Sequence, residues 1–202
     1  MGYITIFGGT FNPPHIGHFE IVSALSKQPL VEKILLIPTK VPPHKKTLFL
    51  ANEPDRLSML ELIAQHFDNV FVSDLEFKRE GKSYTIDTLH DVMNLFPNCE
   101  LALTVGADML ISLPSWKDYE SIIKLCKIFT FFRTGEDIHQ YNLSIDKLKE
   151  QGANIEVIDQ RIKGVSSTEV REKISRGEDV SKLLCNDVYH YIESRGVYLG
   201  EV

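Results

Sequence analysis

Short apolar runs alternate along the chain with longer stretches in which apolar residues recur every three to four positions. The short runs read as strands: Tyr3–Phe7, Lys33–Ile37, Val70–Ser73, Glu100–Val105, Ile128–Phe132 and Ile155–Ile158. The longer stretches read as helices over Ile16–Ser26, Pro54–His66, Thr85–Phe96, Tyr119–Leu125, Ser144–Gln151, Ser167–Ser175 and Asp187–Ser194. In the second of these, Leu57, Leu60, Ile63 and Ala64 stand at helical spacing. Pro38 stops a strand, Pro97 closes a helix, and Val41–Pro54 is a loop rich in proline and basic residues. Strand then helix, repeated, predicts parallel strands joined by crossover helices: an α/β, doubly wound sheet. Such sheets bind ligands beyond the carboxyl ends of their strands, where the strand order reverses. No break in composition marks a second domain, so residues 1–202 are expected to form one, with about 160–202 as a small helical part.

Composition narrows the function classes. With 43% hydrophobic and 25% charged residues, a disordered or fibrous chain is not expected. Twenty-two basic against 28 acidic residues leave a net charge of −6, which argues against a general binder of nucleic acid or anionic membrane but leaves room for a local anion pocket. Cys99, Cys126 and Cys185 make neither a CxxC nor a zinc spacing and read as reduced thiols in a cytoplasmic protein. The N-terminus reads as neither a signal peptide nor a myristoylation site, and no apolar run is long enough to span a membrane. Oligomeric state does not follow from the sequence, and a homo-oligomer stays open.

The most informative segment runs Gly8-Gly9-Thr10-Phe11-Asn12-Pro13-Pro14-His15-Ile16-Gly17-His18. It ends a predicted strand and opens a predicted helix. Glycines at a strand end let a ligand approach the backbone. A helix start carries unused N–H groups and partial positive charge, which suits an anion. His15 and His18, three apart, share one face of a helical turn and can hold a phosphate chain without acting as bases. A metal pair would need further ligands, and surface histidines without a role are the other alternative.

A second string, Val165-Ser166-Ser167-Thr168-Glu169-Val170-Arg171, has hydroxyls able to cap a helix and Glu169 in its first turn. Arg171 lies one turn beyond Ser167. Alone, this is compatible with an ordinary capped helix. Together, and in this order, the strings resemble the two signatures of the HxGH nucleotidyltransferase superfamily, here His15-Ile16-Gly17-His18 and a variant of ISSTxxR with Val165 in place of isoleucine. The position of Asn12 is aspartate in many members. The resemblance implies a Rossmann-like fold of the nucleotidyltransferase type and transfer of a nucleotide from a nucleoside triphosphate with release of pyrophosphate. It implies an ATP site at Gly8, Gly9, Thr10, Phe11, His15, His18, Ser166, Ser167, Thr168 and Arg171.

Central segments are similar to those of the nicotinate-nucleotide adenylyltransferases within that superfamily. Pro42-Pro43-His44-Lys45-Lys46 resembles a PPHK segment at their active site, Gly81-Lys82-Ser83-Tyr84-Thr85-Ile86-Asp87-Thr88-Leu89 resembles GxSYTxDTL, Gly106-Ala107-Asp108 a GAD turn, and Leu113-Pro114-Ser115-Trp116 an LPxW segment. Read without the resemblance, these are two surface lysines, a capped helix, a helix cap and a core tryptophan. With it, the acceptor site comprises His44, Lys45, Thr85, Asp108 and Trp116, with His44 and Lys45 near the mononucleotide phosphate, Trp116 stacked on the pyridine, and a helix start at Thr85 for its carboxylate. The resemblance extends over about residues 3–198. It implies a reaction of ATP with nicotinate mononucleotide, the chemistry resting on His15, His18, Lys45 and Arg171, and Mg²⁺ carried on the ATP phosphates. Nicotinamide mononucleotide or another phosphate as acceptor, and a nucleotide sensor without turnover, are the alternatives.

Overall fold

The computed structural model describes residues 2–41, 50–132, 137–160 and 162–199. Six strands form one parallel sheet: β1 (Tyr3–Gly9), β2 (Val31–Pro38), β3 (Val70–Val72), β4 (Glu100–Gly106), β5 (Cys126–Phe131) and β6 (Ile155–Val157), in the order β3-β2-β1-β4-β5-β6. Every neighbouring pair is parallel, with Ile6 opposite Leu35 on one side and Leu103 on the other. The order reverses between β1 and β4, so the loops leaving those two strands flank the crevice that such sheets use for ligands.

Both faces of the sheet are buried, which is why the strands read as continuous apolar runs. Side chains alternate across it. Ile4, Ile6, Leu35 and Ile37 point to one layer, made by α3 (Thr85–Leu95), α4 (Ala107–Ser112), α5 (Tyr119–Leu125) and α6 (Ile138–Glu150) through Leu89, Leu110, Ile122 and Ile145. Phe7, Ile34 and Leu36 point to the other. That layer holds α1 (Ile16–Ser26), α2 (Glu53–Ala64), α7 (Ser167–Ser175) and α8 (Asn186–Arg195), which contribute Ile21, Leu60, Val170 and Val188. The described residues beyond 160 therefore continue this helical layer, with α8 packed against α2.

Most predicted elements appear within one or two residues. Three differences have local causes. α6 begins at Ile138 rather than near Ser144, because the Asp137 carboxylate accepts the His139 and Gln140 N–H groups and starts the helix in polar sequence. α4 and the 3₁₀ turn at Leu113–Ser115 had no separate signature, being too short to show a period. β5 starts at Cys126, earlier than the apolar run suggested, in register with Leu101. Among the described residues, no helix is long and apolar enough to cross a membrane.

Candidate active site

The segment after β1 is shaped by its own side chains. Phe11, which is buried, has a left-handed backbone with φ of 47°. Its ring lies so close to Gly9 that a Cβ there would approach it to 3.1 Å. Edge-to-face contacts lock it between Phe7 and His18, at ring separations of 5.4 and 5.0 Å. The Asn12–Pro13 peptide bond is cis. The chain then enters α1 with His15 as its N-cap.

The two histidines come together as their spacing predicts, with ring centroids 3.8 Å apart. The His15 backbone N–H donates to Nδ1 of His18 at 3.0 Å. A neutral imidazole that accepts at Nδ1 carries its proton on Nε2, so His18 presents Nε2–H as a donor. Gly17 explains itself between them: a Cβ there would meet the Lys163 carbonyl at 3.1 Å and the His15 ring at 3.2 Å. One expectation needs correction. Two of the first N–H groups of α1 are already used: Ile16 N–H donates to the Leu183 carbonyl at 2.8 Å and His18 N–H turns back to the His15 carbonyl at 2.9 Å. The imidazoles therefore add donors to a first turn in which these two are committed elsewhere.

The second string lies directly against the first. Ser166 caps α7, accepting the Glu169 N–H at 3.1 Å. The Ser167 hydroxyl donates to the Pro13 carbonyl at 2.8 Å, and the Arg171 guanidinium to the Asn12 carbonyl at 2.6 Å and the Thr168 hydroxyl at 3.2 Å. Burial lowers the Arg171 pKa from its ordinary value, and Tyr198 and Glu172 act against that. Arg171 thus spends part of its donor fork on the loop and brings a positive charge to its Asn12 end.

Three contributors escaped the sequence reading. Arg56, on α2, is among the most buried side chains in the molecule. It donates to the Thr39 carbonyl at 2.6 Å, the Thr10 carbonyl at 3.1 Å and the Ala51 carbonyl at 3.2 Å, with its guanidinium over the Phe77 ring. One cation therefore joins the loop after β1, the end of β2 and the approach to α2. Its signal was legible: a charge at the helical spacing of Met59, Leu60 and Ile63, on the apolar face. The Asn12 carboxamide oxygen accepts both the Ala51 N–H at 2.9 Å and the Tyr198 hydroxyl at 2.8 Å. No pattern in the sequence announces Tyr198. Lys117 is the third, pairing with Asp87 at 3.1 Å and lying over the Tyr84 ring.

Lys117 links the surroundings of two predicted residues, Trp116 and Thr85. It ties the turn holding Trp116 to the start of α3, where Thr85 is the first helical residue and Tyr84 the N-cap. Trp116 is half-buried, packed against the α3–α6 layer, and Thr85 is half-buried. α3 starts without a side-chain cap. Asp108 is exposed in the first turn of α4, where Gly106 is the cap residue, so it is not the helix cap that the plain reading allowed. Gly8 is exposed, and Gly9 and Thr10 are half-buried, at the end of β1. His44 and Lys45 lie outside the described residues.

Comparison with known proteins fits this geometry. Residues 6–173 match the family described as cytidylyltransferase-like. A probable nicotinate-nucleotide adenylyltransferase of Clostridium tetani is 34% identical, with 96% of this chain and 97% of the relative covered. One of Fusobacterium nucleatum subsp. nucleatum is 36% identical, over 94% of this chain and 96% of the relative. In architecture the chain is similar to the Plasmodium falciparum nicotinic acid mononucleotide adenylyltransferase complexed with NaAD, with a TM-score of 0.80, 19% identity and 98% of each chain covered. The chain belongs to the nicotinate-nucleotide adenylyltransferases of the cytidylyltransferase-like family.

Proposed function

We propose that the protein joins ATP and nicotinate mononucleotide to give nicotinate adenine dinucleotide and pyrophosphate, a step of NAD biosynthesis. The observation that carries this reading is the meeting of the two phosphate-binding strings: Ser167 reaches Pro13 across 154 residues and Arg171 reaches Asn12 across 159. Two imidazoles, a guanidinium and hydroxyls then stand at the carboxyl end of β1, at the reversal of strand order. The near full-length match to relatives of that name supports the choice of acceptor.

The mononucleotide's phosphate oxygen attacks the α-phosphorus of ATP. A new P–O bond forms in line with the α–β bridging bond that breaks, and pyrophosphate leaves with the electron pair. The attacking oxygen is already anionic at neutral pH, so neither a protein nucleophile nor a strong base is required. Catalysis comes from placement and from charge stabilisation. Holding both reactants in a near-attack geometry contributes about 7–11 kcal/mol, and one donor aimed at developing charge about 3–4 kcal/mol.

His15 and His18 take the transferring and leaving phosphates, with Gly8, Gly9, Thr10 and Phe11 lining the approach. His18 Nε2–H is the donor that the bond to His15 orients. Ser166, Ser167, Thr168 and Arg171 hold the pyrophosphate end. His44 and Lys45 serve the attacking phosphate, Asp108 the ribose hydroxyls, and Trp116 and Thr85 the pyridine. A helix start without a side-chain cap suits a carboxylate better than a carboxamide.

Nucleotidyl transfer of this kind uses a divalent cation, which we take to be Mg²⁺. Among the described residues no three His, Cys, Asp or Glu side chains gather to hold a metal. The donors around the loop suit phosphate oxygens, so the ion enters as part of the ATP substrate.

The test is pyrophosphate release by the purified protein with ATP and Mg²⁺, run in parallel with nicotinate and nicotinamide mononucleotides. Release with the nicotinate form is expected, at a kcat/KM far above that with the nicotinamide form. Equal efficiency with both would discard the assigned role of Thr85. No release with either, from protein that binds ATP, would overturn the reading in favour of a nucleotide sensor or another acceptor.

A further inference from the structure

Glu76 stands apart from everything assigned so far. It lies in the turn between β3 and α3 and is 5% exposed, whereas the other glutamates among the described residues lie at least partly in solvent. Buried carboxyls need partners, because burial penalises the charged form and leaves polar atoms without water. Glu76 Oε1 accepts the Thr88 hydroxyl at 2.7 Å. Arg79 donates to Thr88 Oγ1 at 3.1 Å, and of the two acceptors within reach of the single hydroxyl proton the Glu76 carboxyl is nearer than the Tyr84 carbonyl, at 2.7 against 3.4 Å. The other arm of Arg79 pairs with Asp91, one turn further along α3. From the opposite side, Lys40 at the end of β2 donates to the Phe77 and Arg79 carbonyls at 2.8 and 3.2 Å, and Ser83 N–H donates to the Val41 carbonyl at 3.1 Å.

These bonds have one geometric result. The segment 80–84 is anchored at both ends, and the first turn of α3 is fixed by a side chain that is not its cap. We propose that Glu76 is a positioning residue for the acceptor: by accepting the Thr88 hydroxyl it sets the orientation of the Tyr84–Thr85 backbone that receives the pyridine carboxylate. The inference rests on the reading of the α3 start as the acceptor pocket. Glu76 acts through the oxygen that accepts the Thr88 hydroxyl. Burial pushes its carboxyl above the ordinary range, against the pull of the Thr88, Ser83 and Thr39 hydroxyls and Arg79. A group held in this way does its work through the oxygen that faces Thr88.

The experiment measures KM for each substrate separately, with melting temperature alongside. Glu76→Ala is expected to raise KM for nicotinate mononucleotide about tenfold, the scale of one buried hydrogen bond lost, with KM for ATP within about twofold. Glu76→Gln keeps a carbonyl oxygen for Thr88 and places its amide among hydroxyls able to accept, so it is expected to restore the acceptor KM. Thr88→Val removes the same bond from the other side at constant shape and carries the test if Glu76→Ala does not fold; the same one-sided rise in KM is expected. A Gln variant as impaired as the Ala variant would overturn the proposal, and so would equal shifts in both KM values or no shift in either. Turnover of nicotinate mononucleotide by the unaltered protein tests the underlying reading by itself, so the two failures are distinguishable.

Discussion

Replacing Arg56 by methionine tests whether one buried cation holds the loop after β1. The Arg56 guanidinium bonds three carbonyls, those of Thr39, Thr10 and Ala51, at 2.6, 3.1 and 3.2 Å. Burial lowers its pKa, with Glu53 and Tyr198 acting the other way, but a guanidinium stays charged at neutral pH. Methionine keeps a long apolar stem against Phe77 and removes all the donors. Each carbonyl left buried without a partner costs about 1–3 kcal/mol, and release of the desolvated cation offsets part of the sum. A net loss of about 2–4 kcal/mol follows, and at about 2–4 °C per kcal/mol for a protein of this size Tm falls by roughly 4–16 °C. The assay is thermal unfolding with and without saturating ATP. Because the Thr10 carbonyl belongs to the loop proposed to hold the phosphates, the stabilisation by ATP should shrink as well. A Tm within about 2 °C of the unaltered protein, with ATP stabilisation intact, would refute the reasoning, since it falls below the smallest loss allowed here.

Three further outcomes are expected. His18→Ala should lower kcat by about 10²–10³, the scale of a lost transition-state donor, and an enzyme with normal turnover would remove His18 from the chemistry. Trp116→Ala should raise KM for the pyridine nucleotide more than KM for ATP in steady-state assays, whereas equal effects would count against stacking. Burial pushes the Cys126 thiol up to about 12, while Cys99 and Cys185 are half-buried. A thiol so raised stays protonated and unreactive at pH 8, so a disulfide reagent should modify at most two of the three cysteines until the protein is unfolded. Rapid modification of all three in the native protein would contradict that burial.

The fold was legible because both faces of the sheet are buried: strands such as Leu35–Ile37 read as continuous apolar runs, and amphipathic helices fall between them. The site was legible where chemistry is written in consecutive residues, as in His15–His18 and Ser166–Arg171. It was not legible where function depends on one side chain meeting a distant backbone. The Asn12 carboxamide joins Ala51 and Tyr198, and no local pattern encodes that pairing. Short elements such as α4 carry too few residues for a period to emerge, and α6 starts on the strength of a single cap at Asp137. Arg56 is the instructive middle case. A cation on an apolar stripe was visible, but the sequence does not say which carbonyls it faces.

The bonds from Ser167, Arg171 and Tyr198 back to residues 12 and 13 have a consequence for how the protein is made. The tyrosine and its asparagine partner are separated by 186 residues. At synthesis rates of about 5–20 residues per second, roughly 10–40 s pass between them on the ribosome. For that interval the histidine loop exists without the helix that braces it, and the wall that α7 gives the proposed nucleotide site has not been translated. The emerging chain can therefore assemble β1 and β2 early while having no completed place for a triphosphate. The proposed site is whole only when a distant stretch of chain has been made and closes on this loop.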